Sequence, residues 1–206
     1  MCYNHCMNTD IRKCRVTAAL IIINILVFAV TFIKGSPEDT AYMMSVGANF
    51  YPLTFNGQLW RLFTCMFLHF DIAHLLTNML SLFAIGSVIE TSFGSKRYLA
   101  IYLFSGICAS LVSALGHMFT GFPAVSAGAS GAVFGLSGAL ICLAVFRMTA
   151  RYGIDARRVP FAVLLSVALS SASNVDNYAH VGGLAAGFLF SLLLVLLTGS
   201  FRKTRS

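Results

Sequence analysis

Charge is what this sequence has least of. Asp, Glu, Lys and Arg make up 10% of its 206 residues, hydrophobic residues make up 58%, and the mean hydropathy is +0.82. A water-soluble domain of this length needs a charged surface, so such a composition excludes water as the solvent for most of the molecule. Residues 98–123 and 162–175 carry no charge at all, as expected of segments that lie in lipid.

Other absences narrow the class further. A net charge of +7 would suit a nucleic-acid binder, but no basic stripe interleaved with aromatic residues occurs, and no nucleic-acid partner is expected. The six cysteines show no paired spacing. Cys2, Cys6 and Cys14 stand in a polar N-terminal tail, and Cys65, Cys108 and Cys142 lie within or beside apolar runs, so no disulfide framework is implied. Cys2, His5, Cys6 and Cys14 could ligate a metal, yet their spacing matches no familiar zinc pattern, and reduced cytosolic thiols are the simpler reading. There is no HExxH motif, internal repeat, low-complexity segment or second domain.

Six apolar stretches are present, at about 16–33, 71–90, 98–119, 126–146, 159–172 and 178–198. The first follows Arg12, Lys13 and Arg15 like a signal peptide but is too long for one. At 1.5 Å per residue it would span about 27 Å, close to the hydrocarbon thickness, so it reads as a retained helix. Six helices put both termini on one side, and the basic residues identify that side. Arg12, Lys13 and Arg15, then Lys96 and Arg97, then Arg147, Arg151, Arg157 and Arg158, then Arg202, Lys203 and Arg205 all fall in one set of connections. Of the fourteen Lys and Arg only Lys34 and Arg61 fall in the other. The expected fold is therefore an all-α, polytopic bundle of six transmembrane helices with cytoplasmic termini. It divides into a tail at 1–15, a membrane domain at 16–198 and a second tail at 199–206. The long outer loop, 34–70, is too apolar for a free linker. It is expected to lie in the interface, with Trp60 at headgroup level and Arg61 reaching a phosphate or a backbone carbonyl.

Polar groups inside a membrane are costly, which singles out His74, Asn78, Ser130 and His180. All four fall near the starts of the second, fourth and sixth spans, which run inward from the outer face. Gly131 and Gly135 form one GxxxG pair, and Gly183 and Gly187 form another on the stripe of His180. Facing glycine stripes would bring Ser130 Oγ within hydrogen-bond reach of the His180 imidazole, as nucleophilic catalysis requires. His74 and Asn78, four residues apart, share a helix face and could donate to a developing oxyanion. The competing readings are ordinary: Ser bonded to a backbone carbonyl, glycines as packing devices, His180 as a structural residue. Ala132 also stands where the nucleophile elbow of soluble hydrolases needs its second glycine. Zinc held by His69, His74 and His180 is disfavoured because no carboxylate is expected in the helical core. No metal and no cofactor are expected. Asp71 and Asp176 sit at the membrane edge, and His117 has no obvious partner.

These residues, in order, resemble the rhomboid intramembrane serine proteases over about 47–187. The resemblance rests on Gly47-Ala48-Asn49, Trp60-Arg61, His69 with His74-Leu-Leu-Thr-Asn78, Gly128-Ala129-Ser130-Gly131, and Ala179-His180-Val-Gly-Gly183 with Gly187. It implies that Ser130 is the nucleophile, His180 its general base, and His74, Asn78 and the Ser130 N–H the oxyanion hole, with no third carboxylate. Phe134 is similar to the family's aromatic residue that stacks on the histidine. The resemblance also makes the fifth helix and the loop at 173–177 a lateral gate. The implied activity is cleavage of transmembrane protein substrates near their outer end, with the lipid bilayer as surroundings and a bacterial plasma (inner) membrane as location. It sets no oligomeric state. Two rivals stand beside it. A non-catalytic relative that only binds membrane helices is disfavoured by the intact Ser130 and His180, and a small transporter by the lack of intramembrane acids.

Overall fold

A computed structural model describes residues 14–155, 159–160, 163–164 and 176–197. In chain order its helices are α1 (Arg15–Lys34), the short α2 (Thr40–Val46), α3 (Tyr51–Thr54) and α4 (Arg61–Thr64), then α5 (Ile72–Phe93), α6 (Ser95–Thr120), α7 (Ser130–Val145) and α8 (Asn177–Leu197). Helices α1, α5, α6 and α8 are long and apolar enough to cross a membrane, and α7 is a shorter apolar helix. The regular elements among the described residues are all helices, and the chain is a multi-pass integral membrane protein. The fifth expected span lies outside the described residues except at 159–160 and 163–164, which are helical. The expected gate loop at 173–177 also lies outside them except at 176–177, and Cys2, His5, Cys6 and the C-terminal tail lie outside them entirely.

Lipid reverses the usual amphipathic pattern. On α1 the exposed residues include Ile22, Ile25, Leu26, Phe32 and Ile33. The inward stripe is Thr17, Leu20, Asn24, Phe28 and Thr31. In water that polarity would be inside out; here the apolar side faces hydrocarbon and the small polar groups bond within the bundle. Asn24 Nδ2 and Thr31 Oγ1, for example, donate to the carbonyls of Leu20 and Phe28.

Helix α7 is the axis of the bundle, with every residue from Gly131 to Leu140 buried. It packs on α8 backbone to backbone. A Cβ added at Gly183 would run into the Gly131 carbonyl, one at Gly187 into the Gly135 carbonyl, and one at Gly138 into the Leu184 carbonyl. This is the close approach that small residues permit when no hydrophobic effect drives helices together.

One expectation needs correction. The helical core does contain a carboxylate, because Glu90 of α5 is 1% exposed. Its oxygens accept from Val16 N at 3.0 Å, Thr17 N at 2.8 Å, Thr17 Oγ1 at 2.8 Å and Ser95 Oγ at 2.6 Å. Glu90 thus caps the start of α1 from another helix, satisfying amide groups that α1 itself leaves unbonded. Cys14, read as part of a polar tail, is buried beside this contact with its thiol 3.8 Å from the Ser87 carbonyl.

The connection between α1 and α5 folds around Arg61. The guanidinium is buried, donating from Nη1 to Met44 O at 2.6 Å and Ala48 O at 2.9 Å and from Nε to Gln58 Oε1 at 2.7 Å. It also stacks 4.8 Å from the exposed Trp60 ring. Of the two partners the sequence offered for Arg61, backbone carbonyl is the one found. Asn49, next in the chain after Ala48, reaches the core: its Nδ2 donates to Ser110 O on α6, and its Oδ1 accepts from Thr54 Oγ1.

Candidate active site

The expectation of a helix from Ser126 fails by one turn. Residues 126–129 form an irregular approach, and the helix begins at Ser130. The cause is a long-range pairing: Asn49 and Ser126 exchange both backbone hydrogen bonds at 2.8 Å, an isolated antiparallel bridge. Gly128 then donates its N–H to Cys65 O at 2.9 Å with φ of 132°. Only glycine takes that conformation without strain. A Cβ there would also come 2.8 Å from His74 Nε2, so Gly128 is needed twice, for the turn and for the approach of the His74 ring.

Starting the helix at Ser130 alters its chemistry. The Ser130 amide lies in the first turn, where the helix supplies no acceptor, and it sits at the positive end of the α7 dipole. Ser130 Oγ is 3.0 Å from His180 Nε2. The His180 ring is buried and lies flat on Phe134, with centroids 4.0 Å apart and planes 10° from parallel. Phe134 is one turn along α7 from Ser130, so the same helix presents the hydroxyl and shelves the imidazole.

The third wall is the start of α5. Asp71 caps that helix by accepting from His74 N at 2.7 Å. Asn78 Nδ2 donates to the His74 carbonyl at 2.8 Å, which leaves its second hydrogen for the cavity. The His74 ring is held between Phe70, nearly parallel at 6.2 Å, and His69, edge-on at 5.1 Å. Burial, and after it the neighbouring His74, pull the imidazole of His69 down to about 3, so His69 packs as a neutral ring.

Ser130, His180, His74 and Asn78 line one cavity of about 330 Å³, together with Gly128, Gly131, Cys65 and the carboxylates Glu38, Asp71 and Asp176. Helices α5, α7 and α8 therefore begin at the same end of the bundle. Cys65, a second nucleophile-bearing side chain, is pushed by burial up to about 12 and remains a thiol next to Ser110. Among the described residues no three His, Cys, Asp or Glu side chains converge in a metal-binding arrangement.

Two groups had no role in the sequence reading. Asp176, placed there only at the membrane edge, caps α8 by accepting from Ala179 N at 3.0 Å; an Asp immediately ahead of a helical run is the signal that would have found it. His117, for which no partner was expected, has one: its Nε2 lies 3.8 Å from Asp176 Oδ1.

Comparison with known proteins returns a single theme. The Rhomboid domain model matches residues 56–197. The Rhomboid protease GluP of Bacillus subtilis is 36% identical over 189 residues, covering 91% of this chain and 36% of that protein. The Rhomboid protease AarA of Providencia stuartii is 31% identical over 209 residues, covering 90% of this chain and 74% of its own length. RHOMBOID-like protein 7 of Arabidopsis thaliana is 41% identical over 144 residues, with 68% of this chain and 44% of the plant protein aligned. The chain thus spans less than half of the Bacillus and Arabidopsis proteins. Since the relatives are both bacterial and plant, kinship selects no particular membrane.

Proposed function

This chain belongs to the rhomboid family, and from that premise we propose that it is a serine endopeptidase that cleaves transmembrane segments of other proteins within the bilayer. The observation that carries the reading is the 3.0 Å contact between Ser130 Oγ and His180 Nε2 in the cavity at the first turn of α7. With His180 protonated on Nδ1, Nε2 accepts the Ser130 proton as Oγ attacks the scissile carbonyl carbon. The carbonyl oxygen takes the negative charge and is met by the Ser130 N–H, His74 and the spare hydrogen of Asn78, helped by the α7 dipole. His180 then returns its proton to the leaving amine as the C–N bond breaks. A water molecule, deprotonated by the same imidazole, releases the acyl group and restores the Ser130 hydroxyl. Phe134 holds the imidazole plane while Gly128 and Gly131 keep the approach narrow; Gly183 and Gly187 hold α8 against α7.

We place the cavity at the outer face, in a six-helix bundle with cytoplasmic termini, with tails at 1–15 and 199–206 around a membrane domain at 16–198. The charge asymmetry of the connections supports this orientation. In lipid every carbonyl of a spanning helix is already bonded within that helix, so a substrate must unwind before Ser130 can reach it. Substrates are therefore spans with Gly or Pro near their outer end, and the family resemblance adds a small residue before the cut.

The test is reconstitution of the chain in liposomes with a panel of single-span reporters, alongside labelling by a fluorophosphonate probe. Cleavage that is faster for Gly- or Pro-containing spans than for Leu-rich ones, with labelling confined to Ser130, supports the reading. A folded chain that neither cuts nor labels refutes it.

A further inference from the structure

The glycine stripes explain how close α7 and α8 come, but flat surfaces of backbone do not fix rotation or register. A serine and histidine on separate helices need both, because a shift of about 1 Å between reacting groups can cost roughly 10²-fold in rate. Something directional must hold α8, and it sits one turn before His180.

Asp176 faces two helices at once. Toward α8, Oδ1 accepts from Ala179 N at 3.0 Å, and the Asp176 carbonyl accepts from His180 N at 3.1 Å. Toward α6, Oδ2 accepts from Ser113 Oγ at 2.5 Å, and His117 Nε2 lies 3.8 Å from Oδ1. Ser113 and His117 are one turn apart on α6, and Ser113 is fully buried. The ring of Tyr178 fills the contact: it occupies the place a side chain at Gly116 would take and meets the His117 ring edge-on at 5.3 Å. The first turn of α8 is thus clasped to the outer end of α6 by one carboxylate with partners on both sides.

We propose that Asp176, through Ser113 and His117, is the positioning residue that sets the register of His180 against Ser130. It touches neither Ser130 Oγ nor the His180 ring by hydrogen bond and is no third member of a triad. The inference rests on the protease reading above. It predicts a cost in turnover, because a displaced imidazole slows proton transfer from Ser130; since Asp176 also lines the cavity, a direct part in binding would instead raise KM, and the split between kcat and KM tells the two apart.

The experiment compares wild type, Asp176→Ala, Asp176→Asn and Ser113→Ala in liposomes. Its readouts are kcat and KM on a cleavable reporter, the rate of fluorophosphonate labelling, and the ring ¹⁵N spectrum of His180, assigned with His180→Ala. Asp176→Ala should lower kcat by about 10- to 10²-fold, slow labelling by a similar factor, leave KM within about twofold, and shift or broaden the His180 signals. Asp176→Asn keeps an acceptor for Ala179 N and should recover much of the loss. Ser113→Ala leaves the α8 cap intact and should still lower kcat, and combined with Asp176→Ala it should add little. Wild-type kcat in Asp176→Ala, a loss confined to KM, or an Asn variant as impaired as the Ala one overturns the proposal. If wild type neither cuts nor labels, the protease reading fails instead, and the His180 spectrum still decides the clasp: identical spectra in wild type and Asp176→Ala refute it.

Discussion

At the scale of the residue, the proposed mechanism divides its labour between groups that react and groups that donate. In that mechanism Ser130 and His180 act as one unit, so Ser130→Ala and His180→Ala should each abolish reporter cleavage while thermal unfolding stays close to wild type; normal cleavage by either variant removes the dyad. Asn78 has a different signature, because only one of its amide hydrogens is free of the His74 carbonyl. Asn78→Ala should lower kcat by about 10²-fold and His74→Ala by a similar or smaller factor. Two silent variants would mean that other donors build the hole. These side chains were legible in the sequence because ionisable and amide groups are conspicuous among apolar neighbours. Asp176 and Glu90 were less so. Asp176 looked like a membrane-edge acid and Glu90 was passed over, and what makes them structural are partners on other helices, Ser113 for one and Thr17 for the other.

At the scale of the element, apolar length located α1, α5, α6, α8 and the shorter α7, while the ends of a helix such as α7 depended on contacts from far along the chain. The small residues Ser126, Ala127, Gly128 and Ala129 continue a helical pattern without interruption, yet pairing with Asn49 and the turn at Gly128 hold them out of the helix. No local signal records either. Glycine spacing, in contrast, pointed to a packing surface, and here the structure shows backbone against backbone. Gly187→Val should therefore push α8 from α7 and destabilise the protein by about 1–3 kcal/mol or more, as overpacking does, with activity falling in step. Leu189→Val, on the lipid-facing side at 62% exposed, is the control and should change the thermal midpoint little. Equal effects would mean that the stripes do not carry the contact.

At the scale of the whole molecule, the orientation proposed above is open to a direct check by thiol labelling in intact cells. Cys14 is buried and reports on neither side, so the cytoplasmic probes are Cys2 and Cys6. For the outer side, Gly121 has φ of 68° and tolerates cysteine poorly; the neighbouring exposed Thr120 is the better position. A membrane-impermeant reagent should label Thr120→Cys and miss Cys2 and Cys6, and the opposite pattern would turn the cavity toward the cytoplasm. The division of the site between α7 and α8 has a further consequence, for biogenesis. Ser130 leaves the ribosome 50 positions ahead of His180, so during insertion the nascent chain carries a hydroxyl with no base to activate it. On the proposed mechanism, hydrolytic competence therefore arrives only when α8 docks.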